Sequence, residues 1–167
     1  MKKDLTELVF ILDRSGSMAG LEGDTIGGFN AMLAKQKQEA GECRVTTVLF
    51  DNEYQLLHDR IDIQALSPIT ASEYFVRGST ALLDAMGRTI HKIGEAQKHT
   101  AEDFRAEKVV VVIITDGMEN SSREYSPDKV KAMVERQQAR FGWDFIFLGA
   151  NIDAITTARD FGIDRSR

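Results

Sequence analysis

Residues 8–12 form an unbroken apolar run, Leu8-Val9-Phe10-Ile11-Leu12, that stops at Asp13. A short continuous run of this kind predicts a strand buried on both faces, here over 5–12, with a carboxylate at its C-terminal tip. Helical spacing follows over 24–38, where Ile26, Phe29, Met32 and Leu33 share one face and Gly41 marks the end. Gly27 and Gly28 weaken this helix locally and are expected to allow close packing on a sheet. Residues 44–50 are rich in β-branched side chains and predict a second strand, closed by the turn signal Asp51-Asn52. The apolar stretch at 54–57 follows too soon for a parallel crossover, so it is expected to pair antiparallel.

From Ser67-Pro68 a loop leads to Gly78, and a helix is expected from near Thr80, with Leu82, Leu83, Met86, Ile90 and Ile93 at helical spacing. Residues 108–115 form the longest apolar run, which suits a central strand. Ser126-Pro127-Asp128 is a capped helix start. Val130, Met133, Val134 and Phe141 are its expected buried stripe, and Gly142 its end. A further strand is expected at 143–148 and a short helix at 151–161, stopped by Gly162. Strands alternating with helices predict a doubly wound α/β fold: a mostly parallel sheet, one antiparallel edge strand, and helices on both faces. One domain is expected over residues 1–167. Ligands of such sheets sit beyond the carboxyl ends of the strands, which is where Asp13 and Asp116 fall.

Composition narrows the function. The chain is 43% hydrophobic and 28% charged, as for an ordinary globular protein. A net charge of −5 with scattered basic residues argues against nucleic-acid binding, which needs Lys and Arg on phosphates. Lys2-Lys3 before 8–12 superficially resembles a secretory leader, but the apolar run is short and Asp13-Arg14 interrupts it. No stretch approaches the ~20 apolar residues of a membrane span, so no membrane association is expected. Cys43 is the only cysteine, which excludes an intrachain disulfide and fits a cytoplasmic location. Cys43 itself reads as a small buried hydrophobe. His58, His91 and His99 share no metal-binding spacing, and no Ser-His-Asp or Cys-His set suggests nucleophilic catalysis.

The chemistry lies in the loop Asp13-Arg14-Ser15-Gly16-Ser17. Three oxygen-bearing side chains on one tight loop suit a hard cation such as Mg²⁺. Thr80, beside Gly78 and Ser79, and Asp116, within Thr115-Asp116-Gly117, add a hydroxyl and a second carboxylate. Each residue alone has a plainer reading as a cap or turn; together they converge on one sheet edge. Arg14 is expected to point away from the ion, toward a surface acid or a partner. Met18, Leu21 and Met118 flank the site as core residues or an apolar collar. Glu119-Asn120 reads as a solvated polar loop.

These motifs resemble the von Willebrand factor A family, and specifically its metal-ion-dependent adhesion site: D-x-S-x-S, a distant Thr, then an Asp in a T-D-G loop. The resemblance extends from about residue 5 to 162, and the opening motif looks like that of bacterial stand-alone members. It implies strand order 3-2-1-4-5-6 and a metal held by Asp13, Ser15, Ser17, Thr80 and Asp116. The ion would be Mg²⁺, with Mn²⁺ and Ca²⁺ as alternatives. It also implies no enzymatic activity but a protein partner that completes the coordination with an Asp or Glu, AAA+ ATPases and stress-response proteins being candidate partner classes. In related domains the Thr switches between direct and water-bridged ligation, which makes Thr80 the expected conformational gauge. The family's final strand and helix are expected to be missing, leaving five strands with 143–148 as an apolar edge that a second chain, or further sequence, would cover. The competing reading is an Mg²⁺-dependent phosphoryl-transfer enzyme with Asp13 as nucleophile. Such enzymes place a second Asp two residues on, where this chain has Ser15, which cannot act as the general acid.

Overall fold

The computed structural model describes residues 1–116 and 119–148. Strand β1 (Lys2–Asp13) is followed by helix α1 (Glu22–Lys37), strands β2 (Glu42–Phe50) and β3 (Tyr54–Asp62), helix α2 (Leu82–Lys98), strand β4 (Ala106–Ile114), helix α3 (Pro127–Phe141) and strand β5 (Asp144–Leu148). The sheet order is β3-β2-β1-β4-β5, parallel throughout except for β3, which runs antiparallel to β2. This is the expected doubly wound α/β architecture, with β1 in the centre. The expected helix at 151–161 lies outside the described residues.

The continuous hydrophobicity of β1 follows from burial on both faces. Leu8, Phe10 and Leu12 pack with Phe29 and Leu33 of α1. Val9 and Ile11 pack on the other face with Leu82, Met86 and Ile90 of α2 and with Val130 and Val134 of α3. Phe10 meets Phe29 edge to face at a centroid distance of 4.7 Å, a geometry favoured by the ring quadrupoles. Because β1 pairs with β2 through Asp13 opposite Phe50, and with β4 through Leu12 opposite Ile114, all three strands end at one level. That alignment sets Asp13 beside the segment that leaves β4. Among the described residues no helix is long and apolar enough to cross a membrane.

Several expectations need correction. Strand β3 continues to Asp62, well beyond 57, because two register shifts against β2 absorb residues that break the apolar alternation. Gly27 and Gly28 do not pack on the sheet: both are exposed, and a Cβ at either would meet nothing within 4 Å. Phe141 is not part of the buried stripe but 58% exposed. It is the last residue of α3, where the chain turns back through Gly142, and Trp143 takes the interior position instead. Cys43 is buried as expected, and His91 is exposed.

Candidate metal centre

Asp13 ends β1 with no exposed surface. One carboxylate oxygen, Oδ1, accepts the Ser15 N–H at 2.7 Å, and Oδ2 accepts the Thr115 hydroxyl at 2.7 Å. Its carbonyl accepts a short hydrogen bond from the buried Tyr74 hydroxyl. The side chain is therefore fixed by the residues that follow β1 and β4, and the main chain by the loop before α2.

The short turn Gly16–Met18 then folds the two serines together. Ser15 Oγ lies 2.8 Å from Ser17 Oγ, and Ser17 Oγ donates to Asp116 Oδ1 at 2.9 Å. Ser15, Ser17 and Asp116 thus form one chain of oxygens drawn from two loops, with Asp13 tied to it through the Ser15 N–H. Thr80 reaches the same edge through its main chain and its neighbours. The Gly16 N–H donates to the Gly78 carbonyl at 2.9 Å, the Arg77 N–H donates to the Arg14 carbonyl at 2.8 Å, and Thr80 itself is buried. Gly78 adopts φ 69°, and a Cβ there would lie 2.2 Å from Asn52 Oδ1, so the close approach of this loop requires glycine.

Burial pushes the Asp13 carboxyl above its ordinary range. The Thr115 and Ser15 hydrogen bonds oppose that shift, and the nearby Asp116 charge adds to it. Among the described residues no group of three or more His, Cys, Asp or Glu side chains could hold a metal. Any cation here would therefore rely on Asp13 and Asp116 for charge and on hydroxyls for further ligands. That donor set, all oxygen and carrying two negative charges, fits a hard divalent ion that keeps some water.

Arg14 does turn away from this set, but not toward the surface. Its side chain is buried, donates from Nη1 to Gln55 Oε1, and places Nε 3.7 Å from Asp51 Oδ2. Burial lowers the Arg14 pKa and the Asp51 charge opposes this. Asp51, itself buried, also pairs with Arg77 at 2.8 Å. Glu119 and Asn120 are likewise not a free solvated loop. Asn120 Oδ1 accepts the Thr80 N–H at 2.8 Å, and Glu119 Oε1 accepts the Leu83 N–H at 2.9 Å. Met18 is core, Leu21 is half-buried, and Met118 lies outside the described residues. Thr115 is the contributor that sequence reasoning missed; a hydroxyl immediately before the strand-end Asp was the available signal.

The family model described as VWA domain containing CoxE-like protein matches residues 2–143. The chain belongs to this VWA family. Its fold is that of a protein-interaction module. Among solved structures, manganese-loaded Plasmodium vivax TRAP protein is 20% identical, with a TM-score of 0.70 over 98% of this chain and 65% of that one. The PilB minor pilin from Streptococcus sanguinis is 13% identical, with a TM-score of 0.64 over 97% of this chain and 55% of that one. The von Willebrand factor type A protein from Catenulispora acidiphila is 15% identical, with a TM-score of 0.60 over 93% and 41%. At these identities the likeness is one of fold. The VWA chain spans less than two thirds of the length of each of these proteins. No curated protein matches it by sequence.

Proposed function

We propose that this VWA domain binds a protein partner through a divalent cation held by Asp13, Ser15, Ser17, Thr80 and Asp116, the partner completing the coordination with an Asp or Glu. The observation that carries the proposal is the oxygen chain Ser15–Ser17–Asp116 set against the buried Asp13. The Asp116 charge adds to the cost of ionising the buried Asp13, a cost that a cation between the two carboxylates would offset. When bound, the ion supplies an electrophilic centre for a carboxylate from outside. Mg²⁺ is the favoured ion, with Mn²⁺ and Ca²⁺ as alternatives, and the manganese-loaded TRAP structure supports a metal in this fold. The partner classes carried over from the family resemblance are AAA+ ATPases and stress-response proteins. Phe75, 48% exposed on the loop that carries Tyr74 and Arg77, offers an aromatic contact beside the site.

Binding is favoured over phosphoryl transfer because Ser15 stands where a general acid is needed. The test is calorimetric titration with Mn²⁺. Asp13→Ala removes one of two balancing charges and is expected to abolish measurable binding. Unchanged affinity in that variant contradicts the proposal. Mg²⁺-dependent hydrolysis of an aryl phosphate that disappears in Asp13→Ala would favour the enzymatic reading instead.

A further inference from the structure

The segment after Asp116 and the start of α2 are joined by reciprocal hydrogen bonds. Asn120 Oδ1 accepts the Thr80 N–H at 2.8 Å, while the Asn120 and Ser121 N–H groups donate to the Thr80 carbonyl at 2.9 and 3.0 Å. Helix α2 has Ala81 at its cap position, which offers no side-chain acceptor. Its first free amides are met from across the cleft: Leu83 N–H by Glu119, and Asp84 N–H by the Ser122 hydroxyl at 2.9 Å. In return the Asp84 carboxylate accepts three successive amides, those of residues 123–125, at 2.8 to 2.9 Å. The carboxylate at the helix N-terminus is also favoured by the helix dipole.

Both polar groups of the Thr80 peptide unit are therefore held by Asn120 and its neighbour, from a segment that begins four residues after Asp116. We propose that Asn120 is a positioning residue that fixes the Thr80 main chain, and so presents the Thr80 hydroxyl to the site that also contains Asp116. The ligand role of Thr80 rests on the reading given under Proposed function. On this account Thr80 and the Asn120–Ser121 segment shift together, as one clasped unit, relative to the Asp13–Ser17 loop. Ligation by Thr80 is then set by the clasp as well as by the loop at Gly78, which the Gly16 N–H holds at its carbonyl.

The experiment compares Asn120→Ala with Asn120→Asp, which keeps the acceptor. Asn120 is exposed, so neither variant should unfold the domain. Amide exchange of Thr80, read by NMR without metal, should accelerate about tenfold in Asn120→Ala, the effect of losing one net hydrogen bond. Asn120→Asp should restore slow exchange. Mn²⁺ affinity should fall in Asn120→Ala by about the same factor, with the melting temperature little changed. Unaltered Thr80 exchange in Asn120→Ala overturns the proposal. A wild-type chain that takes up no Mn²⁺ overturns the metal reading and with it the ligand role of Thr80. Wild-type uptake with unmoved affinity in Asn120→Ala overturns the positioning role alone.

Discussion

Removal of Arg60 should cost stability while leaving the proposed metal site intact. Glu7 sits in the centre of the sheet, 1% exposed, and its Oε2 accepts both Nε and Nη2 of Arg60, at 3.0 and 2.7 Å. Arg44 Nη1 stands further off, at 3.7 Å, and Glu7 Oε1 has no hydrogen-bond partner among the described residues. Breaking a fully buried pair from one side costs about 3–5 kcal/mol, because the remaining charge is stranded. The Arg60 side chain is 25% exposed and Arg44 remains nearby, so Arg60→Ala should cost about 2–3 kcal/mol. For a domain of this size that lowers Tm by roughly 5–10 °C. Arg60 also adopts φ 51°, a left-handed conformation that any side chain with a Cβ finds unfavourable by about 1 kcal/mol. Arg60→Gly should therefore be less destabilising than Arg60→Ala, reversing the usual order. Glu7 precedes Asp13 by six strand positions, about 20 Å, so Mn²⁺ affinity should be unchanged in both variants. Urea denaturation that places Arg60→Ala within about 0.5 kcal/mol of wild type, the range of ordinary surface changes, would refute the reasoning.

Other outcomes follow from the same structure. Gly27→Ala with Gly28→Ala fills open space on an exposed helix face and should stabilise by about 1–2 kcal/mol in total, measured by thermal melting. Gly78→Ala should destabilise by more than about 1 kcal/mol and loosen the loop at the site, because the added Cβ meets Asn52 and the backbone conformation is left-handed. Burial pushes the Cys43 thiol up to about 11, so it stays protonated at pH 8. Thiol labelling there should be slow in the native protein and rapid in denaturant.

The order of elements was legible because burial on both faces of β1 leaves a continuous apolar run, and because the amphipathic helices carry clear stripes. The five candidate oxygens were legible for a local reason: strand ends and Gly-containing loops show in the sequence. What joins them was not. The Thr115 hydroxyl on Asp13, and the clasp from Asn120 to Thr80, depend on pairs far apart in the chain that only the strand register brings together. Alternation along the loop turns Arg14 away from the other side chains, as expected, but the acid it meets is buried, because Asp51 and Gln55 come from the neighbouring hairpin. The length of β3 was hidden by its register shifts. Phe141 keeps the 3.6-residue period yet is exposed, because that period carries no signal of where the sheet beneath α3 ends.

The most direct test of the central claim is anomalous diffraction from a crystal soaked in saturating Mn²⁺. The account predicts one peak beyond the C-terminal ends of β1 and β4, among the side-chain oxygens of Asp13, Ser15, Ser17, Thr80 and Asp116, which would hold the ion directly or through water. Absence of that peak at saturation, or a peak only elsewhere on the molecule, would contradict it.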